Sequence, residues 1–214
     1  MRILAYLYPM QKKQILITQA LTDAGAELAR QFQEEGWYVF GLDTHDNYVY
    51  HCDRFLIFDF ERFATEATYR VRMSAVLDEL IRRLDALVFQ FEPSHPLSST
   101  PPELDEWQSA LATYLTTPFL LAKLFAERIK KEQGSIFALI DRSPPQKTSS
   151  ALVSNPIRDA LQSLTLSFTE AHIRANVLTY ERTDENLVRP SFGELSRLAL
   201  FLASGQTQIS GKIL

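Results

Sequence analysis

Gln14-Ile15-Leu16-Ile17-Thr18-Gln19-Ala20-Leu21-Thr22-Asp23-Ala24-Gly25, running into a helical pattern over Ala26–Glu35, is the stretch that decides the fold. Gln14–Thr18 is apolar and β-rich, the composition of a buried strand. Leu21, Ala24 or Gly25, Leu28 and Phe32 then recur at helical spacing, and Gly36 offers a C-terminal stop. Strand, tight turn and helix in that order open an α/β sheet. In such a sheet the first strand-to-helix turn is where a dinucleotide's phosphates would sit, on the helix N-terminus. This turn keeps one glycine, Gly25, where a phosphate-binding turn normally uses three.

Further strand–helix units follow. Trp37–Leu42 reads as the second strand, closing at Asp43, and Arg54–Phe58 as the third, closing at Asp59. Ala67, Val71, Ala75, Leu80 and Leu84 predict a helix, and Asp85–Gln90 the fourth strand. Glu92–Pro102, polar and rich in Pro and Ser, is a loop. Thr100-Pro101-Pro102-Glu103 has capping-box form and opens a long helix through Trp107, Leu111, Leu115, Phe119 and Leu124 to Lys131. Ser135–Ile140 is the fifth strand and Arg142–Ser150 a second loop. Asn155 is expected to cap a helix with Pro156 in its first turn, burying Leu161, Leu164, Phe168 and Ile173. Ala175–Thr179 is the sixth strand and Tyr180–Pro190 a loop. Ser191-Phe192-Gly193-Glu194 opens the last helix, and Lys212–Leu214 begins a seventh strand. Such alternation predicts right-handed crossovers and a parallel sheet. The expected architecture is α/β, a doubly wound Rossmann-like sheet of about seven strands with helices on both faces, in one domain spanning 1–214.

Composition narrows the function classes. A net charge of -4 leaves no electrostatic footprint for nucleic acid or an anionic membrane surface. No apolar run of membrane-spanning length is evident in the sequence. The single Cys52 rules out an internal disulfide framework and suits a reducing, cytoplasmic setting. His45, His51, His95 and His172 have no metal-ligand spacing with Cys52 or with one another, so no metal site is expected. Seven glycines in 214 residues is low for a protein whose backbone must approach phosphate at several points.

Three stretches resemble the short-chain dehydrogenase/reductase family, collinearly and over almost the whole chain. They are Lys13–Gly36, Leu104–Ile140 with its Gly134-Ser135-Ile136 ending, and Phe201-Leu202-Ala203-Ser204 followed by Ile209-Ser210-Gly211-Lys212. The resemblance implies an NAD(P)-dependent oxidoreductase fold. Its functional motifs do not carry over residue by residue. Thr18 and Gly25 match the family's T-G-x-x-x-G-x-G turn, but Gln19 and Asp23 replace its first two glycines. Asp23 is read instead as a helix cap that also complements the helix dipole. The N-N-A-G stretch falls on Phe89-Gln90-Phe91-Glu92, which sets two phenyl rings and a carboxylate in the cofactor path. The active-site serine falls on Asp141, the helix asparagine on Tyr114, the tyrosine on Ser154 and the lysine on Arg158. The Pro-Gly that abuts nicotinamide falls on Tyr180-Glu181. Asp43 and Asp59 keep the acids that would meet the adenosine ribose and the adenine.

These departures at separate sites lead to the expectation of no cofactor and no hydride transfer. The chain would then act as a structural or regulatory subunit, homo-oligomeric or paired with an active relative, through helices 104–131 and 156–173. An alternative is an NAD(P)-dependent oxidoreductase with rearranged chemistry, in which Thr18, Gly25, Asp43, Asp59 and Arg158 hold the cofactor and Tyr114 replaces the missing phenol. A further alternative is a sensor that takes a small apolar or aromatic ligand in the vacated cleft.

Overall fold

Ile15, Leu16 and Ile17 are wholly inaccessible to solvent in β1 (Gln14–Thr18), which lies at the middle of the sheet. The structure is a computed structural model that describes residues 12–45, 51–92, 103–143, 148–182, 188–205 and 208–214, with side chains for all of these except 148–153 and 188–189. β1 is flanked by β2 (Tyr38–Asp43) and β4 (Ala86–Phe91), both parallel to it. β3 (Arg54–Ile57) lies outside β2. On the other side β5 (Ser135–Asp141), β6 (Arg174–Arg182) and β8 (Lys212–Ile213) continue the parallel set. That makes the seven parallel strands expected. β7 (Val188–Arg189) adds an eighth, antiparallel to the end of β6. A reversal of strand order next to β1 defines a crevice at the carboxyl ends of β1 and β4.

Helices cover both faces. α1 (Asp23–Glu34) and α7 (Phe192–Ala203) bury Leu28, Phe32, Leu195 and Leu202 on one side. The other face carries α2 (Phe60–Thr65), α3 (Ala67–Leu80), α4 (Leu104–Leu111), α5 (Thr117–Lys131) and α6 (Thr148–Ser167). α7 opens as expected, with Ser191 and Glu194 in a reciprocal capping box.

Several local expectations are corrected. The cap of α1 is Thr22, whose Oγ1 accepts the Gly25 N–H at 3.0 Å; Asp23 is the first helical residue, where its charge complements the dipole. α3 buries Tyr69, Met73 and Leu77 and leaves Val71 70% exposed. The two stripes compete on a weakly amphipathic helix, and the one with larger side chains removes more apolar area from water. α6 starts at Thr148, so Pro156 lies inside the helix and Asn155 does not cap it. Ile157, Leu161 and Thr165 are all buried along one stripe, an anchorage that offsets the lost proline N–H. Thr100 lies outside the described residues, and the box at α4 pairs Glu103 with Glu106.

The long helix is interrupted by a π-helical turn at Ala112–Thr116. Pro118 has no N–H for the carbonyl of Tyr114, and the Thr117 N–H reaches back five residues to Ala112. Contrary to the sequence expectation, Leu104–Lys131 is long and apolar enough to cross a membrane by length and composition. Here its Leu121, Ala122, Phe125 and Ile129 pack on the sheet.

Candidate functional site

Two side-chain networks meet at the carboxyl ends of β1, β4, β5 and β6. The first is the turn between β1 and α1. Gln19 sits at φ +51°, a left-handed conformation that a β-carbon makes costly. The turn thus has a glycine-type backbone with a side chain on it, at the position where the family resemblance aligns a glycine. Over this turn lies the carboxamide of Gln90, from β4. Its Nε2 donates to the Thr18 carbonyl at 2.7 Å and the Gln19 carbonyl at 3.2 Å, and its Oε1 accepts from Thr22 Oγ1 at 2.8 Å. Thr18 Oγ1 donates to the Val88 carbonyl at 3.2 Å and accepts from the Gln90 N–H at 3.3 Å. A β-carbon on Gly25 would lie 2.6 Å from both the Gln19 carbonyl oxygen and Gln90 Nε2. The close approach that Gly25 permits is used by the protein's own amide.

Asp43 and Asp59 are likewise engaged. Asp43 Oδ2 accepts the Leu21 N–H at 2.9 Å and Oδ1 the Thr44 N–H at 2.7 Å, which ties β2 to the turn. Asp59 caps α2 through the Arg62 N–H at 2.9 Å, and its own N–H donates to the Tyr69 hydroxyl. Each has a structural task visible in its hydrogen bonds.

The second network crosses from β4 to β6. Glu92, just beyond β4, pairs with Arg182 at the end of β6, and the Tyr180 hydroxyl donates to Glu92 Oε2 at 3.4 Å. Arg182 Nε lies 3.5 Å from Asp141 Oδ2, at the end of β5. Ser143 donates its hydroxyl to Asp141 and accepts the Arg182 N–H at 2.6 Å. The Tyr114 hydroxyl donates to the Glu92 carbonyl at 3.1 Å, and its ring meets Phe91 edge-on at 4.9 Å. Phe192, at the start of α7, lies edge-on to Tyr180 at 5.2 Å and 5.9 Å from the Arg182 guanidinium.

Burial is the largest influence on the ionisable groups of this network. Burial pushes the Glu92 carboxyl above its ordinary range; Arg182 opposes that shift, while Asp141 and Asp23 add to it. Burial, then the charges of Glu92 and Asp141, push the Tyr180 phenol far above its usual range. A phenol held so firmly in its neutral form is no base near neutrality. For Arg182, burial is the largest influence and works against the charge, but Glu92, Tyr180 and Asp141 together outweigh it and raise its pKa.

The structure therefore brings Tyr114 and Asp141 to one network, alongside Thr18 and Gly25 in the neighbouring turn. Ser154 and Arg158 lie one turn apart on α6; Arg158 pairs with its neighbour Asp159 at 3.6 Å. Phe89 and Phe91 do not line the cofactor path on which the resemblance sets them. Both rings are buried in the core, and strand alternation turns Gln90 and Glu92, not the rings, to the site. Tyr180 is corrected from loop to strand, in register with Asp141 and 2% exposed. Arg182 falls in the same predicted loop and stands instead at the end of β6, two residues from Tyr180 as strand alternation requires. Among the described residues no group of His, Cys, Asp and Glu could hold a metal ion. Burial and Asp53 push the Cys52 thiol up to about 12, leaving it unreactive near neutrality.

No protein-family model matches the chain, and no curated protein matches it in sequence. Solved structures do match. An oxidoreductase of the short-chain dehydrogenase/reductase family from Brucella ovis, in complex with a partially ordered NAD, is 18% identical with a TM-score of 0.69, over 95% of this chain and 99% of that one. The apo form of an SCOR enzyme from Clostridium thermocellum is 17% identical with a TM-score of 0.76, over 96% and 90%. A 3-ketoacyl-(acyl-carrier-protein) reductase from Brucella melitensis, complexed with NADH, is 19% identical with a TM-score of 0.69, over 94% and 95%. Near-complete coverage in both directions at this likeness, with the strand order and crevice described above, gives this chain the fold of the short-chain dehydrogenases/reductases.

Proposed function

We propose that this chain is a short-chain dehydrogenase/reductase-type protein that has given up dinucleotide-dependent hydride transfer and works as a structural or regulatory subunit. The observation that carries the reading is the Gln90 carboxamide seated against Gly25 and bonded to the Thr18 and Gln19 carbonyls. It takes the close approach to the turn that a pyrophosphate would need. Asp23 adds a negative charge at the same helix N-terminus, and Ser154 supplies no phenol. The test is titration of the pure protein with NADH and NADPH, read by energy transfer from Trp37 and Trp107. The expected result is no saturable signal up to millimolar cofactor; saturation would sink the reading.

A second reading, an NAD(P)-dependent oxidoreductase with rearranged chemistry, is favoured by two observations. Gln19 at φ +51° keeps the turn in a glycine-type conformation, and two structural neighbours carry NAD or NADH. The same titration decides between the two.

The subunit role rests on the long helix, whose Leu104 and Phe119 are 67% and 47% exposed, and on α6 beside it. Self-association or pairing with a relative through these helices would cover that apolar surface. A single monodisperse monomer recovered from native extract would count against it. The lone Cys52, without a disulfide, fits a cytoplasmic setting.

A further inference from the structure

β3 pairs with β2 on one side, and among the described residues no strand lies on the other. The Phe58 N–H donates to the Asp43 carbonyl at 2.7 Å, which fixes the alternation along the strand. Leu56 therefore turns its N–H and C=O toward β2, and Phe55 and Ile57 turn theirs outward. Beside these outward groups the Ile57 side chain is 54% exposed. After Arg54 the strand has no charge and no proline, the devices that usually protect an open edge from further pairing.

The chain carries a segment suited to this edge. Residues 1–11 lie outside the described residues, and within them Ile3-Leu4-Ala5-Tyr6-Leu7-Tyr8 is an uncharged apolar run delimited by Pro9. Such a run is too short for a stable helix of its own. Reach selects both the edge and the direction. The outer side of β3 is three strand spacings from β1, about 14 Å. Register sets Arg54 level with Phe40 and Phe40 level with Leu16, three residues (16 minus 13) above Lys13, or about 10 Å. The two offsets combine to about 17 Å. The six steps from Leu7 to Lys13 (13 minus 7) span about 20 Å when extended. A strand that runs antiparallel to β3 and ends at Leu7 can thus join β1. A parallel one would end level with Ile57, and its link would need about 24 Å. The edge outside β8 is five spacings from β1, also about 24 Å and out of reach.

We propose that Ile3–Leu7 docks on the outer edge of β3 as an antiparallel strand, bonding the outward N–H and C=O groups of Phe55 and Ile57 and covering the Ile57 side chain. Arg2 then comes to the end of β3 where Asp59 and Glu61 open α2, opposite in charge. The short link gives the segment a high effective concentration at this edge, ahead of any second copy. The docking is independent of whether a dinucleotide binds.

Amide hydrogen exchange of the full chain tests it residue by residue. The Phe55 and Ile57 amides should exchange at least about tenfold more slowly in wild type than in a variant lacking residues 2–8. The Ile15 and Ile17 amides, in the middle of the sheet, should be unchanged. Equal exchange of Phe55 and Ile57 in the two proteins would overturn the proposal. The protection should also be independent of protein concentration; protection that fades on dilution assigns the edge to a second copy and counts against the chain's own segment. If the shortened chain does not fold, Ala5→Pro with Tyr6→Pro removes one donor facing β3 in either alternation. Unchanged exchange at Phe55 and Ile57 in that variant counts equally against the docking.

Discussion

Gly25→Ala isolates the question of what the glycine in the first turn is for. Ordinary contact begins at 3.4 Å, whereas the new β-carbon would stand 2.6 Å from the Gln19 carbonyl oxygen, a shortfall of 0.8 Å (3.4 minus 2.6). That oxygen belongs to a backbone already in a left-handed conformation, so it has little freedom to retreat. Overpacking of this kind costs about 1–3 kcal/mol. The second clash, with Gln90 Nε2 at 2.6 Å, would push the carboxamide off the Thr18 carbonyl and lose a buried hydrogen bond, about 1 kcal/mol more. Alanine returns up to about 1 kcal/mol of helix propensity, less in a first turn. The net loss is about 2 kcal/mol, which lowers the urea midpoint by about 1 M for an m-value near 2 kcal/mol/M. The assay is equilibrium urea unfolding with and without Gln90→Ala. Removing Gln90 deletes one of the two clashes, so the double variant should fall short of additivity by about 1 kcal/mol. Near-neutral behaviour of Gly25→Ala, or strict additivity with Gln90→Ala, would refute the packing that links them. Because both clashes involve the protein's own atoms, the predicted loss holds with no ligand in solution.

Ser154→Tyr combined with Arg158→Lys should yield no reductase turnover with NADH or NADPH, because the Gln90-filled turn and Asp23 are untouched; robust turnover would show that the turn accepts the cofactor. Glu92 has a folded-state pKa above its unfolded value of about 4.5, so its contribution to stability is fully present below that value and is lost as pH rises through the folded one. Glu92→Gln, permanently neutral, should gain on wild type in melting temperature as pH rises through this window, and a growing deficit would contradict the sign. Asp85→Ala should cost about 2–4 kcal/mol by urea unfolding, since buried Asp85 accepts the Gln14 N–H at 2.8 Å and pairs with Arg83 at 2.7 Å; Asp85→Asn, which keeps an acceptor, should recover part of that loss.

The strand–helix order was legible because each element carries its own signal. Ile15-Leu16-Ile17 cannot be exposed, Gly36 at φ +79° ends α1, and the Ser191–Glu194 box starts α7. Where a local rule had two solutions, as with Thr22 against Asp23 or the two stripes of α3, packing chose between them. The start of α6 ahead of Pro156 and the strand residues Tyr180–Arg182 depart from the sequence expectation for the same reason. A buried stripe on α6, the register of Tyr180 with β5 and the pairing of Glu181 and Arg182 with β7 overrode the loop-forming signals around them.

For the site, the sequence alone determined which residue types stand at 19, 23, 154 and 158, the positions that the family resemblance aligns with two glycines, a phenol and a lysine. It could not determine what stands in the crevice instead. The bond from Gln90 to Thr18 spans 72 positions, and the pair of Glu92 with Arg182 spans 90. Those partners become neighbours only through the parallel register of β1, β4, β5 and β6, and strand alternation then selects Gln90 and Glu92 over the phenylalanines between them. Absence of a motif is a local property and can be read along the chain. Occupation of a cleft depends on which side chains the sheet brings together, and only the tertiary structure decides that.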